Sequence, residues 1–449
     1  MTPPPPPYYA LHTDHFAQAG NRASYYTSMR EHYGALAPVE IVPGVLGYLV
    51  VSYAAAQDVL LDQTNWKKDP TVWASQFPSN HQVLGMLGPR PNPLFSDGEQ
   101  HARYRGVLSD AFAGVEPHHL RDTVRVVADH LIDQFAARGK GDLIGQYARP
   151  LPSYLFNRLF GQSDVAAPRL VRSLAGLMEG VDTAASATAE FEMYMGDLLG
   201  SKIRTPGPDM ASAMLKHPAN LSQEELLHHF VLTVAAGQEP TTNLIGNGLY
   251  EFLVDDSLYS HVVNGTLDVG PVIERVLAVR PPMANYGAHY ARHPLDFHGH
   301  RVNQDIPVLI SYEGVAQDPA LLGTGAHMAW SQGPHACPAS GMALTITSIA
   351  LSQLIHRLPD LELAVPRNQV RNRPGPYHHA LAELPARFTP ASAGTRSEAP
   401  WPSNPYIDSP APSPGRSSPR AITPESWATW LPADCPAGRG KSSPPFPGF

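Results

Sequence analysis

Residues 330–340 read Trp-Ser-Gln-Gly-Pro-His-Ala-Cys-Pro-Ala-Ser, and they constrain the chain more than any other stretch. They hold Cys337, the only cysteine ahead of Cys435 near the C-terminus. Gly333 and Pro334 give the approach the chemistry of a tight turn. Directly after the cysteine, residues 341–358 form an apolar-rich run that predicts a helix, with Pro338 near its start. A cysteine at a helix N-terminus sits in partial positive charge, which favours thiolate over thiol. A thiolate on a sharp loop, with a glycine that lets something flat come close, can offer sulfur to a haem iron. The same residues also suit a buried free cysteine acting as a small hydrophobe.

The loop resembles the haem-binding signature of the cytochrome P450 family. That pattern runs aromatic, glycine three on, histidine two before the cysteine, cysteine, and glycine two after. Here the places hold Trp330, Gly333, His335, Cys337 and Ala339, with Trp for the usual Phe and Ala for the last Gly. The resemblance implies that Cys337 ligates the iron of a haem b. It also implies a mainly α fold with a small β-rich region.

Composition is compatible with this. With 43% hydrophobic and 16% charged residues over 449 positions, the chain can bury a large core, and length alone suggests two or three domains. A net charge of −8 argues against nucleic acid as the main partner. Two cysteines make no disulfide framework, so a reducing compartment is expected. No run of about 18 apolar residues occurs, so no membrane span is expected. Met1-Thr2 followed by five prolines does not read as a signal peptide, and a cytoplasmic location is expected.

In chain order, a proline-rich leader precedes helical patterning near Phe16. Residues 39–42 and 45–52 are strand-like about the turn signal Pro43-Gly44, predicting a hairpin. Residues 53–61 predict a short helix, and residues 69–96 a long loop without periodicity, of the kind that is usually functional. Asp97-Gly98 opens a helix in which His101 and Arg105, four apart, share a face. By spacing alone they suit a solvated basic face; by resemblance they bind haem propionates. Residues 117–221 read as successive helices broken at residues 139–141 and 206–208. By resemblance, residues 181–190 line substrate access.

Ser222 and Glu225 form a capping box that starts the longest helical pattern, to about residue 253. Its middle, residues 230–236, is apolar almost all round and predicts burial. Ala236-Gly237-Gln238-Glu239-Pro240-Thr241-Thr242 follows. An acid beside a mid-helix proline in a core segment is costly without a purpose. By resemblance this is the oxygen-site motif, in which Glu239, with Thr241 or water, relays protons to dioxygen. Pro240 stands at the usual hydroxyl position and predicts a kink. His118-His119 and His228-His229 predict surface residues.

The sequence also departs from the family. The Glu-x-x-Arg pair expected ahead of Arg280-Pro281-Pro282 is replaced by Arg275 and Ala278, and the arginine that joins the pair is missing from the short stretch 318–327. Loss of all three partners together reads as replacement, since a lone survivor would be an unpaired buried charge. This resembles an actinobacterial subset lacking the motif. Residues 290–310 predict strands with polar turns, and His289 aligns with a third propionate ligand. The expected organisation is a leader at 1–9, a haem domain at 10–390 and a Pro/Ser-rich, disordered tail at 391–449. In that tail Trp427, Trp430 and Leu431 fall on one face of a possible short helix. The resemblance implies a monooxygenase that inserts one oxygen atom from dioxygen into a small organic substrate, with electrons from ferredoxin and ferredoxin reductase. The departures leave open a haem-bearing regulatory protein or a peroxide-using enzyme.

Overall fold

The computed structural model describes residues 7–18, 21–176 and 181–391. The last expected segment, with its tryptophan face, lies outside them.

The hairpin expected from Pro43-Gly44 forms the heart of the main sheet. Strands β1 (Tyr9–Ala10), β2 (Leu36–Val42) and β3 (Val45–Val50) lie side by side. Gly44 turns the hairpin at φ +78°, a left-handed conformation that favours glycine. Tyr9, assigned above to the leader, pairs with Val39 and is buried. Strands β4 (Trp66–Lys67), β6 (Asn285–Ala291) and β9 (Val308–Ser311) complete six strands in the order β1-β2-β3-β9-β6-β4. The Gly139–Gly141 break is a third element in its own right: β5 (Lys140–Asp142) pairs with β11 (Pro385–Arg387), which pairs in turn with β10 (Glu362–Leu363). β7 (Leu295–Phe297) and β8 (His300–Val302) form a separate hairpin.

The helices that frame the site are α1 (Asn21–Tyr33), α2 (Tyr53–Leu61), α3 (Gly98–Ala113), α4 (Pro117–Asp133) and α5 (Pro150–Leu159). They are followed by α6 (Val181–Arg204), α7 (Gln223–Val254), α8 (Gly270–Val279), α9 (Tyr312–Ala316) and α10 (Ser340–Arg357). Residues 69–96 are not a structureless loop: Thr71–Ala74, Leu84–Leu87 and Pro93–Phe95 each make a short helical turn. Turns this short have no 3.6-residue periodicity for the sequence to display.

The capping box is present. Ser222 Oγ accepts from Glu225 N at 3.2 Å, and Glu225 Oε2 accepts from Ser222 N at 2.8 Å. Glu225 is also gripped by both Arg103 amino groups and by Tyr104 of α3, which locks α7 to α3. The main core lies where α4, α5, α7, α8 and α10 converge. There an added Cβ at Gly248 of α7 would stand 3.0 Å from Leu351 of α10, so glycine lets that side chain pack closely against α7. Among the described residues one helical stretch, Gly333–Arg357, is long and apolar enough in composition to cross a membrane; its inner side chains Ile346, Ala350, Leu351 and Leu354 are in this core.

Candidate functional site

Away from their contact at Gly248, α7 and α10 each leave a stretch uncovered, and the space beside these stretches is the candidate slot. Ala235 and Ala236 are exposed in the middle of α7, although the neighbouring Val234 and Gln238 are buried. The first turns of α10 after Cys337, including Met342 and Leu344, are likewise only half-buried.

The Cys337 loop forms the slot's other edge. Cys337 N donates to Trp330 O at 2.8 Å, and Ala336 N to Gly333 O at 3.1 Å, so the loop doubles back on itself. Gly333 is at φ +69°, and a Cβ there would stand 2.4 Å from the carbonyl of Leu60 in α2. The packing of the loop on α2 therefore requires glycine at this position. Ala339 has φ −114°, where glycine's freedom is not required, which accounts for alanine at that place. Burial pushes the Cys337 thiol up, while the Ala339 amide and Arg105 oppose this. The helix start does not, by itself, make the thiolate.

Around the loop five basic groups are gathered with little acid. His101 lies on α3 and is buried; its ring is 4.1 Å from the ring of His335, centroid to centroid. Arg105, one turn on, donates through Nη2 to Ala336 O at 2.6 Å, so one of its donors is spent on the cysteine loop itself. His289 is buried on β6. Lys68, directly after β4, is 4% exposed and was not singled out in the sequence. Burial lowers the pKa of each: Lys68 to about 7, with Asp97 opposing, and His335 to about 2, with Lys68, His101 and Arg105 adding to the effect. His101 and His289 are lowered by burial and then by these neighbours. Asp97 is the nearby acid, and its carboxylate also accepts from the amides of Lys68 and Asp69.

His101 Nε2 and His289 Nδ1 are buried without a hydrogen-bond partner. Buried polar atoms are normally paired, and basic groups whose charge burial suppresses regain it beside an anion. A haem with two propionates supplies that anion, and the slot between α7 and Cys337 supplies its place. The residues present fit the cofactor.

On α7, the helix runs unbroken through Pro240 over 32 residues. At about 100° per residue, His228, Leu232, Ala235, Ala236, Glu239 and Pro240 fall on one face. Thr241 does not. It is on the face of Gly237, where a Cβ would stand 2.2 Å from the Phe156 ring of α5. The two oxygen-site candidates thus part company: Glu239 flanks the slot, and Thr241 is buried toward α5. Glu239 is ion-paired with Arg373, and its Oε1 also accepts from Asn243 at 3.2 Å. Burial raises the Glu239 carboxyl, but Arg373 and His378 outweigh it and hold the carboxyl below its ordinary value.

The histidine pairs divide. His118 and His119 are exposed. His229 is fully buried, with Nδ1 2.6 Å from Glu225 O, and His228 is half-buried on the slot face, which corrects the surface expectation for this pair. An i, i+4 pattern centred on α7 carried that information, but a polar pair within it masked the signal.

No family model matches the chain. A curated relative, 2-hydroxy-5-methyl-1-naphthoate 7-hydroxylase of Streptomyces carzinostaticus, is 26% identical over 388 residues, covering 81% of this chain and 94% of the relative. The cytochrome P450 monooxygenase PikC of Streptomyces venezuelae is 29% identical over 364 residues, covering 76% of this chain and 85% of its own. Among solved structures, CYP154C4 from Streptomyces sp. W2061 superposes with a TM-score of 0.76 at 25% identity, covering 84% of this chain and 97% of that one. By sequence and by fold, the chain belongs with the bacterial cytochromes P450, haem-iron oxidoreductases whose cofactor is protohaem.

Proposed function

We propose that the protein, as a haem-thiolate monooxygenase, oxygenates an organic substrate that carries an acidic polar group, and that it works in the cytoplasm with electrons from ferredoxin and ferredoxin reductase. The observation that carries the haem-thiolate reading is the convergence of Cys337 with five buried or half-buried basic groups from four segments: the end of β4, α3, β6 and the Cys337 loop itself. When bound, haem with a thiolate ligand supplies dioxygen activation. The protein's own parts are as follows. Cys337 holds the iron. Lys68, His101, Arg105, His289 and His335 hold the propionates. Glu239 carries protons between water and the slot through Oε2, since both of its hydrogen bonds fall on Oε1.

The acidic substrate group is supported by Arg90. Its guanidinium donates to Gly85 O at 2.8 Å and Leu84 O at 3.3 Å, so the segment is coiled on a cation. Burial lowers the Arg90 pKa, with only Tyr286 and Glu192 in opposition. Arg90 also acts on His228, whose Nδ1 is buried and unpartnered on the slot face of α7. A substrate anion satisfies both groups. The naphthoate hydroxylase above acts on an aromatic acid, which is of the same chemical kind.

The test uses the haem-loaded chain, a surrogate ferredoxin and reductase, and oxygen-18 gas. A hydroxynaphthoic acid is compared with its methyl ester. The acid is expected to give the larger substrate-binding spectral shift and to yield product carrying one oxygen-18 atom. Equal binding of acid and ester would remove the acidic substrate. Product formed only with hydrogen peroxide would favour the peroxide-using alternative, which Pro240 on the slot face also suggests.

A further inference from the structure

On α1, Arg22, Tyr26 and Arg30 are spaced i, i+4, i+8 and so form one stripe along the helix. All three grip the short helix α9. Arg22 Nε donates to Glu313 Oε2 at 2.8 Å, Tyr26 Oη lies 3.4 Å from the same oxygen while donating to Asn285 Oδ1 at 3.1 Å, and Arg30 Nη1 donates to Gly314 O at 2.9 Å. Glu313 is held from the other side by His379 Nδ1 at 3.1 Å, and Arg22 Nη1 also reaches His378 O at 3.3 Å. Arg22 and Glu313 are each 3% exposed. A buried pair with this many partners adds little net stability, yet removing one partner leaves an uncompensated charge, so it fixes geometry.

What it fixes is the residue next door. Tyr312 is buried, and the side chain of Ser331 in the Cys337 loop lies close enough to its hydroxyl to act on it. Ser331 is a non-glycine residue at φ +61°, a conformation that needs support from its surroundings. The same hydroxyl reaches the basic cradle. A Cβ added at Gly287 would stand 3.0 Å from Tyr312 Oη and 4.0 Å from Lys68 Nζ, which brings hydroxyl and ammonium to one spot. Tyr312 therefore lies beside both structures that would hold the cofactor: the cysteine loop and the propionate cradle.

We propose that the Arg22–Tyr26–Arg30 stripe is the brace that positions the cysteine loop, acting through Glu313 and Tyr312, and that it takes the place of the missing Glu-x-x-Arg network. The proposal rests on the haem-thiolate reading. Arg22, Glu313 and Tyr312 are positioning residues.

The decisive variant is Tyr312→Phe, which removes one hydroxyl and leaves the ring packing. It is made in the full chain and loaded with haem. Transfer of haem to apomyoglobin is expected to quicken about fivefold, the loss of one hydrogen bond. Part of the ferrous–carbon monoxide complex is expected to leave the thiolate-type band, with the melting temperature unchanged. Arg22→Gln is expected to act in the same direction and Arg22→Lys to restore part of the loss. If Arg22→Gln does not fold, Tyr312→Phe alone decides. Haem transfer and band both at wild-type values in Tyr312→Phe would overturn the brace. A wild type that binds haem without any thiolate-type band would instead overturn the reading of Cys337.

Discussion

Lys68 illustrates how much a single side chain decides at this site. A lysine 4% exposed, with its pKa lowered to about 7 by burial, is an expense that only a buried anion offsets. Lys68→Met is expected to leave the melting temperature of the haem-free chain unchanged or raised, and to weaken haem retention about tenfold, as measured by transfer to apomyoglobin; a charge-assisted hydrogen bond is of that size. The sequence did not point to Lys68, because Lys67-Lys68 at the end of a short strand has the look of a solvated pair. His101, Arg105 and Cys337 could be named from the sequence through the family resemblance, since by spacing alone His101 and Arg105 suit a solvated face. The roles of Glu239 and Thr241 were legible only as a motif, and the helix geometry separates them. Thr241→Ala is therefore expected to keep full coupling of electron use to product, while Glu239→Gln loses it. Oxygen consumption and product formation, measured together, check both variants.

At the scale of elements, the missing Glu-x-x-Arg pair has a structural counterpart. Arg275 of α8 lies 3.3 Å from Glu251 and 3.7 Å from Asp255, so it binds α7 rather than the segment before the cysteine loop. Writing the family pattern back in with Arg275→Glu and Ala278→Arg would set a third acid beside these two. We expect the double variant to melt about 2 °C lower, not higher, because a half-exposed pair contributes about 1 kcal/mol at most. Differential scanning calorimetry of the haem-loaded protein checks it. The elements that the sequence showed best were long and periodic: α7 with its capping box, α3, α4, and the hairpin β2–β3. Those it missed were short or non-local. β5 is three residues long and is stabilised by β11, some 245 positions away, which no local pattern can show.

At the scale of the whole molecule, every residue proposed to hold the cofactor lies between Lys68 and Cys337, and the sheet pairings close by Arg387. A chain ending at Ala391 is therefore expected to bind haem as the full chain does, at one haem per chain by pyridine haemochrome assay. The central claim is the thiolate bond, and the ferrous–carbon monoxide spectrum of purified wild type beside Cys337→Ser tests it most directly. The account predicts a thiolate-type band in the wild type that is absent from the variant. A thiolate-type band that persists in Cys337→Ser would contradict it.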